Sequence, residues 1–277
     1  MSIVEVTFPS YTLRRSVTFK ALIPNEGGYT PGKAGEFSKE KRKTLYLLHG
    51  YTGDCNDYIM NSNIGFLAGI NNLAVIFPSG ENSFYLEDID KGEDFSRFIG
   101  EELVAYTRSL FRLSEDREDT YIGGFSMGGY GAMINGLRYP ETFSKIISLS
   151  GAYIALNIAD AGVYLPDGVS DEKYQRRIFG EAEQLRNSNK DPRFCLENLK
   201  AAGTQIPDIY LVCGAEDFLI ESNRKLHRFL IEQEIAHLYK EGEGVHNWVY
   251  WNKHLELSVQ WLLGKEESEQ DKSKQDK

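Results

Sequence analysis

The segment TYIGGFSMGGYGA, residues 120–132, places five glycines around one serine. Within it Gly124, Phe125, Ser126, Met127 and Gly128 spell G-x-S-x-G. That pattern belongs to a sharp strand-to-helix turn that holds a serine hydroxyl clear of the backbone and tolerates no bulky neighbours. A serine so placed can attack an acyl carbonyl if a base takes its proton and an acid orients the base. With Gly and Ser each at about 7%, such a pentapeptide turns up by chance in roughly 0.1 of chains this long, so partners are needed to give it weight. A phosphate loop would end in G-K-[ST], and a dinucleotide turn would read G-x-G-x-x-G with an acidic residue at the right spacing; neither is present.

On this kind of turn the partners follow in the order serine, acid, histidine. Asp217, in AED after the apolar run DIYLVCG, and His246, in GVHNW after AHLYKEG, satisfy that order, each just past the end of a predicted strand. Glu216 is the rival acid. His227 in a helical stretch, His237 at the start of an edge-like strand and His254 in the last helical stretch read as surface or packing residues. His49, ending a strand beside Gly50, reads as structural. A tetrahedral oxyanion also needs two amide donors. The amide of Met127, directly after the serine, and that of Tyr51 in HGYTGD are the candidates.

The elements that must position these residues alternate along the chain. IVEVTF and RSVTFKALIP are extended, and residues 25–43 read as a surface loop. TLYLL, LAVIFP, TYIGGF, FSKIISL and DIYLVCG are the apolar runs of a sheet buried on both faces. Between them DFSRFIGEELVAYTRSLFRL reads as one amphipathic helix, capped by Asp94, with Phe95, Phe98, Ile99, Leu103, Tyr106, Leu110 and Leu113 on its apolar face. MGGYGAMINGLRYP reads as a helix closed by Pro140, and ESNRKLHRFLIEQE and NWVYWNKHLELSVQWLLG as two more. This pattern predicts an α/β fold, a mostly parallel central sheet with helices on both faces. Residues 1–264 form one domain in this reading, with a small inserted cap at about 154–207 and a charged, disordered tail at 265–277. Ligands of such sheets lie beyond the carboxyl ends of the strands, which is where Ser126, Asp217 and His246 fall.

The chain has 277 residues and a net charge of −10, which opposes nucleic acid or an anionic membrane as its partner. It lacks an apolar stretch of about 18 residues and a secretory leader pattern, so a cytoplasmic location is expected. Cys55, Cys195 and Cys213 have neither disulfide nor zinc spacing. The expected partner is a small-molecule ester, with homo-oligomerisation left open and no metal or organic cofactor implied.

Taken together, LLHGYTGD, GGFSMGGYGA, CGAEDFL and GVHNWVYW resemble the esterase D and tributyrin esterase group of α/β hydrolases over most of the chain. The resemblance implies the α/β-hydrolase fold and a serine carboxylesterase acting on short acyl or aryl (acetyl, butyryl, feruloyl-type) esters through an acyl-serine. The group also holds S-formylglutathione hydrolases, acetyl esterases and feruloyl esterases. Ser126, Asp217 and His246 fall on its triad positions, and Tyr51 and Met127 on its oxyanion positions. Formylglutathione hydrolases carry threonine and cysteine after the strand-end glycine, whereas HGYTGD looks more like the tributyrin and feruloyl esterase branch. Tyr153, Tyr164, Tyr174 and Phe179 in the cap, with Trp248 beside the histidine, either line an apolar acyl or aryl pocket or pack the cap onto the sheet. An acyltransferase, a formylglutathione hydrolase-like thioesterase and a non-catalytic binding protein are the alternative functions.

Overall fold

The computed structural model describes residues 1–24, 40–166 and 168–265; most of the expected 25–43 loop and nearly all of the expected tail lie outside them. Ten strands are present among the described residues: β1 (Ser2–Ser10), β2 (Arg15–Ile23), β3 (Thr44–Leu48), β4 (Ala74–Pro78), β5 (Glu87–Asp88), β6 (Glu93–Asp94), β7 (Thr120–Phe125), β8 (Lys145–Leu149), β9 (Asp208–Gly214) and β10 (His237–Gly242). Eight of them form one sheet in the order β1-β2-β4-β3-β7-β8-β9-β10, and β5 pairs with β6 apart from it. β1, β2 and β4 pair antiparallel, and every pair from β4 to β10 is parallel.

Position in the sheet follows from side-chain pattern. Every residue of β3, β4 and β7 is buried, as strands covered on both faces must be. β1 alternates exposed positions with half-buried or buried ones, fitting an edge with one wet face. Alternation along the buried strands feeds two cores. Tyr46, Leu48, Ile76 and Ile122 pack on one face of the sheet, while Leu45, Leu47, Val75 and Tyr121 pack on the other.

The helices are α1 (Asp57–Asn61), α2 (Ile64–Ile70), α3 (Phe95–Arg97), α4 (Leu103–Leu110), α5 (Met127–Arg138), α6 (Ile154–Ala161), α7 (Glu172–Phe179), α8 (Ala182–Leu185), α9 (Pro192–Ala202), α10 (Ile220–Glu232) and α11 (Trp248–Leu262). α6 to α9 occupy the cap segment between β8 and β9.

The stretch expected as one helix from Asp94 is broken. α3, capped by the Asp94 carboxylate at 2.9 Å from the Arg97 amide, gives way to a π-helical turn over Phe98–Glu102 before α4 begins. The cause is long-range. The Glu102 carboxylate accepts from Ser10 Oγ at 2.6 Å, from the Tyr11 amide at 2.7 Å and from Thr12, so the helix must present that carboxylate to the β1–β2 turn. Beyond the bulge the apolar face drifts: Leu110 is 48% exposed, and Leu113 lies past the helix in a bridge to Arg42.

Candidate active site

Ser126 sits between the last residue of β7 and the first of α5 with φ 55° and ψ −120°, a region that side chains other than glycine occupy only under strain. Its backbone is held from both sides. The Ser126 amide donates to Leu149 O at 2.9 Å, and its carbonyl accepts from the Ala152 and Tyr130 amides at 2.9 and 3.1 Å. The flanking glycines make room for this turn. A Cβ on Gly124 would stand 2.3 Å from Gly128 O, and one on Gly128 would stand 2.1 Å from Leu48 O, so α5 starts against bare backbone of β3.

His246 follows β10, and Asn247 behind it caps α11 by accepting the Tyr250 amide at 3.1 Å. The imidazole lies between two partners: Nε2 is 3.0 Å from Ser126 Oγ, and Nδ1 is 2.8 Å from Asp217 Oδ2. Asp217, just past β9, is fully buried, whereas the imidazole is 18% exposed. The other carboxylate oxygen accepts the Leu219 amide at 2.9 Å. Burial presses the Asp217 carboxyl upward, but the His246 hydrogen bond and charge, the Leu219 amide and the Ser150 hydroxyl outweigh it and hold it below the usual carboxylate range. Glu216 turns away and accepts the Gly244 amide at 2.6 Å.

Ser150 is a contributor that sequence reasoning missed. It follows β8 with φ 47°, its hydroxyl accepts Trp251 Nε1–H at 3.1 Å, and it faces Asp217. A serine in SLSG carries no local mark of that role. Phe218, 64% exposed, lies against the imidazole with ring centroids 4.7 Å apart; its neighbour position to Asp217 was the available signal.

Tyr51 and Met127 flank the serine in a small apolar recess of about 40 Å³, walled also by Phe84, Ala152, Ile154 and Phe218. The Tyr51 loop is pinned from behind. His49 is buried, its Nε2 accepts the Gly80 amide at 2.7 Å, and Nδ1–H therefore donates to Gly50 O at 2.7 Å. Burial pulls its pKa down, and the neutral ring serves as a fastener. Tyr85 adds an O–H bond of 3.0 Å to the His49 carbonyl. Among the described residues no His, Cys, Asp and Glu cluster could hold a metal ion, no helix is long and apolar enough to cross a membrane, and the three cysteines are free and buried.

The aromatic lining expected from the sequence is corrected. Tyr153 is fully buried, with its hydroxyl 2.7 Å from Ser148 Oγ, because the start of α6 turns it down into the core. Trp248 packs on Tyr58, Phe125 and Trp251. Tyr164 donates to Gly180 O within the cap, with Arg176 over its ring, and Phe179 is buried against Phe84 and Tyr130. None of these four walls the recess at Ser126. Tyr174 stands edge-on to Tyr51 at 5.6 Å and reaches the Asn82 carbonyl.

A hydroxyl bonded to an imidazole that is itself oriented by a buried carboxylate is a unit able to generate an alkoxide-like nucleophile at neutral pH. Comparison with known proteins agrees with that chemistry. The family model Esterase, described as "Putative esterase", matches residues 29–262. An acetyl esterase of Caldicellulosiruptor saccharolyticus is 41% identical over 264 residues, 95% of this chain and 98% of that protein. An endo-1,4-beta-xylanase/feruloyl esterase of Xylanibacter ruminicola is 27% identical over 79% of this chain but only 29% of its own length. Among solved structures, an S-formylglutathione hydrolase from Staphylococcus aureus superposes with a TM-score of 0.81 at 26% identity, covering 94% of this chain and 98% of that one.

Proposed function

The chain belongs to the esterase family and has the α/β-hydrolase fold, and from that premise we propose that it removes acetyl-sized acyl groups from esters through an acyl-Ser126 intermediate. In this reading His246 Nε2 takes the Ser126 proton as Oγ adds to the ester carbonyl. The amides of Tyr51 and Met127 receive the oxyanion, each such donor being worth ~3 kcal/mol in the transition state. The imidazolium, oriented and stabilised by Asp217, then protonates the departing alcohol. Water repeats the sequence on the acyl-serine, releasing the acid and restoring the Ser126 hydroxyl.

The observation that carries the acyl preference is the recess at Ser126. One water needs ~10–15 Å³ by the same kind of measure, so about 40 Å³ holds roughly three such groups, the size of an acetyl. The 41% identical relative's name as an acetyl esterase supports the same reading. The test is kcat/KM on p-nitrophenyl acetate, p-nitrophenyl butyrate and methyl ferulate. Acetate should exceed butyrate by at least about tenfold, since one unhoused methylene already costs about that much, and ferulate should be poorest. Equal or better turnover of ferulate refutes the acyl assignment, and retained turnover in Ser126→Ala refutes the nucleophile.

A further inference from the structure

The Asp217 side chain is fully buried, so its charge must be met by donors rather than by water. Two are in place: His246 Nδ1–H on Oδ2 at 2.8 Å, and the Leu219 amide on the other oxygen at 2.9 Å. An ionised carboxylate offers about four acceptor sites, which leaves room for a third donor, and the hydroxyl that faces it is that of Ser150. Ser150 is fully buried just past β8 with φ 47°, a conformation strained for any residue with a Cβ. Its backbone is locked where the strands end. The Ser150 amide donates to Val212 O at 2.6 Å, and Leu149 and Ala152 beside it hold the Ser126 amide and carbonyl.

The direction of the Ser150 hydroxyl is imposed from α11. Trp251 Nε1–H donates to Ser150 Oγ at 3.1 Å, and an indole can only donate. The hydroxyl is therefore the acceptor in that bond, and its own proton is left for another group. Besides Asp217 it faces the Cys213 thiol, which burial first and the Asp217 charge second push upward. That thiol stays neutral and a weak acceptor, whereas the carboxylate is a charged one, so the Ser150 proton goes to Asp217.

Trp251 reaches the histidine as well. Asn247 caps α11, so His246 precedes the cap and Trp251 is the fourth helical residue, the two positions that pack together at a helix start. Their rings meet edge to face with centroids 4.8 Å apart. One buried indole thus touches the base directly and the acid through a single hydroxyl.

Resting on the esterase reading above, we propose that Ser150 and Trp251 are positioning residues for the hydrolysis: Trp251 directs the Ser150 hydroxyl onto Asp217 and bears on the His246 ring, so that carboxylate and imidazole are already aligned when Ser126 gives up its proton. Neither residue lines the recess at Ser126, so their loss should appear in kcat rather than in KM.

The test measures kcat and KM on p-nitrophenyl acetate, with thermal melts, for wild type, Ser150→Ala, Ser150→Gly and Trp251→Phe. Both Ser150 variants should lose kcat by about ten- to a hundredfold, the worth of one hydrogen bond to a charged group, with KM within about twofold. Ser150→Gly should melt above Ser150→Ala, because glycine accepts φ 47° without strain. A residue needed only for folding would give activities that follow the order of melting, whereas a positioning residue gives the same loss in both. Trp251→Phe keeps a ring against His246 and removes the N–H, and should lose kcat by about three- to tenfold. A kcat within about twofold of wild type in Ser150→Ala or in Trp251→Phe, a loss carried by KM alone, or a Ser150→Gly protein restored toward wild type overturns the proposal. Because Ser150→Gly relieves the strain at position 150, it decides the matter if Ser150→Ala does not fold. Failure of the underlying esterase reading looks different: wild type itself leaves p-nitrophenyl acetate uncleaved, and a fluorophosphonate does not label Ser126.

Discussion

Replacing Gly128 by alanine tests whether the nucleophile turn exists because α5 begins against bare backbone. The added Cβ would lie 2.1 Å from Leu48 O and 2.6 Å from His49 O, where carbon and oxygen normally stay about 3.3 Å or more apart. Relief requires moving α5 or the end of β3 by about 1 Å, because the obstructing atoms are main chain at and just past the end of β3, where Leu48 pairs with Gly124 of β7. Overpacking of this kind costs ~1–3 kcal/mol, and at about 2–4 °C per kcal/mol for a chain of this size the melting temperature should fall by roughly 2–12 °C. Activity should suffer more than stability. The displaced carbonyls lead straight to Tyr51, and a shift of about 1 Å in a positioning group costs on the order of 100-fold in rate. Gly65→Ala in α2 is the matched control. No atom lies within 4 Å of its Cβ, and alanine in a helix is favoured by about 0.5–1 kcal/mol. Thermal melts followed by circular dichroism, with kcat/KM on p-nitrophenyl acetate, compare the two. A Gly128→Ala protein that melts with or above wild type and keeps its kcat/KM refutes the steric account of the turn.

Ser126→Gly should melt higher than Ser126→Ala while neither hydrolyses ester, because φ 55° and ψ −120° strain any residue with a Cβ by ~1–3 kcal/mol, offset in part by glycine's freedom in the unfolded chain; a lower melting temperature for the glycine variant contradicts this. His254 is buried beside Tyr250, facing the Lys253 and Lys240 charges, and burial first and those charges second pull its pKa down to about 4. The unfolded chain, with its histidine near 6.5, therefore binds the extra proton between about pH 4 and 6.5, so stability should rise with pH across that window by up to about 3 kcal/mol. His254→Leu should flatten the rise in urea titrations at pH 4.5 and 7, and an unaltered pH slope argues against it.

The contact of Ser126, His246 and Asp217 was legible because local chemistry fixes where each stands. G-x-S-x-G dictates its own turn, and Asp217 and His246 stand just past two strands, the apolar run DIYLVCG and the half-exposed edge strand in AHLYKEG. The choice of Asp217 over Glu216 was open from sequence, since adjacent loop residues point apart and only the fold decides which faces the imidazole. The π-turn at Phe98–Glu102 was invisible to helical periodicity for a related reason: its cause is the hydroxyl and amide groups of Ser10, Tyr11 and Thr12, on another hairpin.

The aromatic residues show where legibility stops. Tyr153, Trp248 and Tyr174 are all large residues near the expected site in sequence. Tyr153 is a core residue at the foot of α6, Trp248 packs edge-on against Phe125 at the β7 exit, and Tyr174 alone stands beside Tyr51. What separates them is the approach of the cap to the loops after β3 and β4, fixed by contacts such as Tyr174 to Asn82 and Arg177 to Asp88. The Ser126–His246–Asp217 contact therefore depends on strand ends, and the wall beside Tyr51 depends on how α7 is docked. Substitutions that loosen α7 should therefore reshape the wall beside Tyr51 before they touch the Ser126–His246 contact, since neither Tyr174 nor Arg177 bonds to that pair.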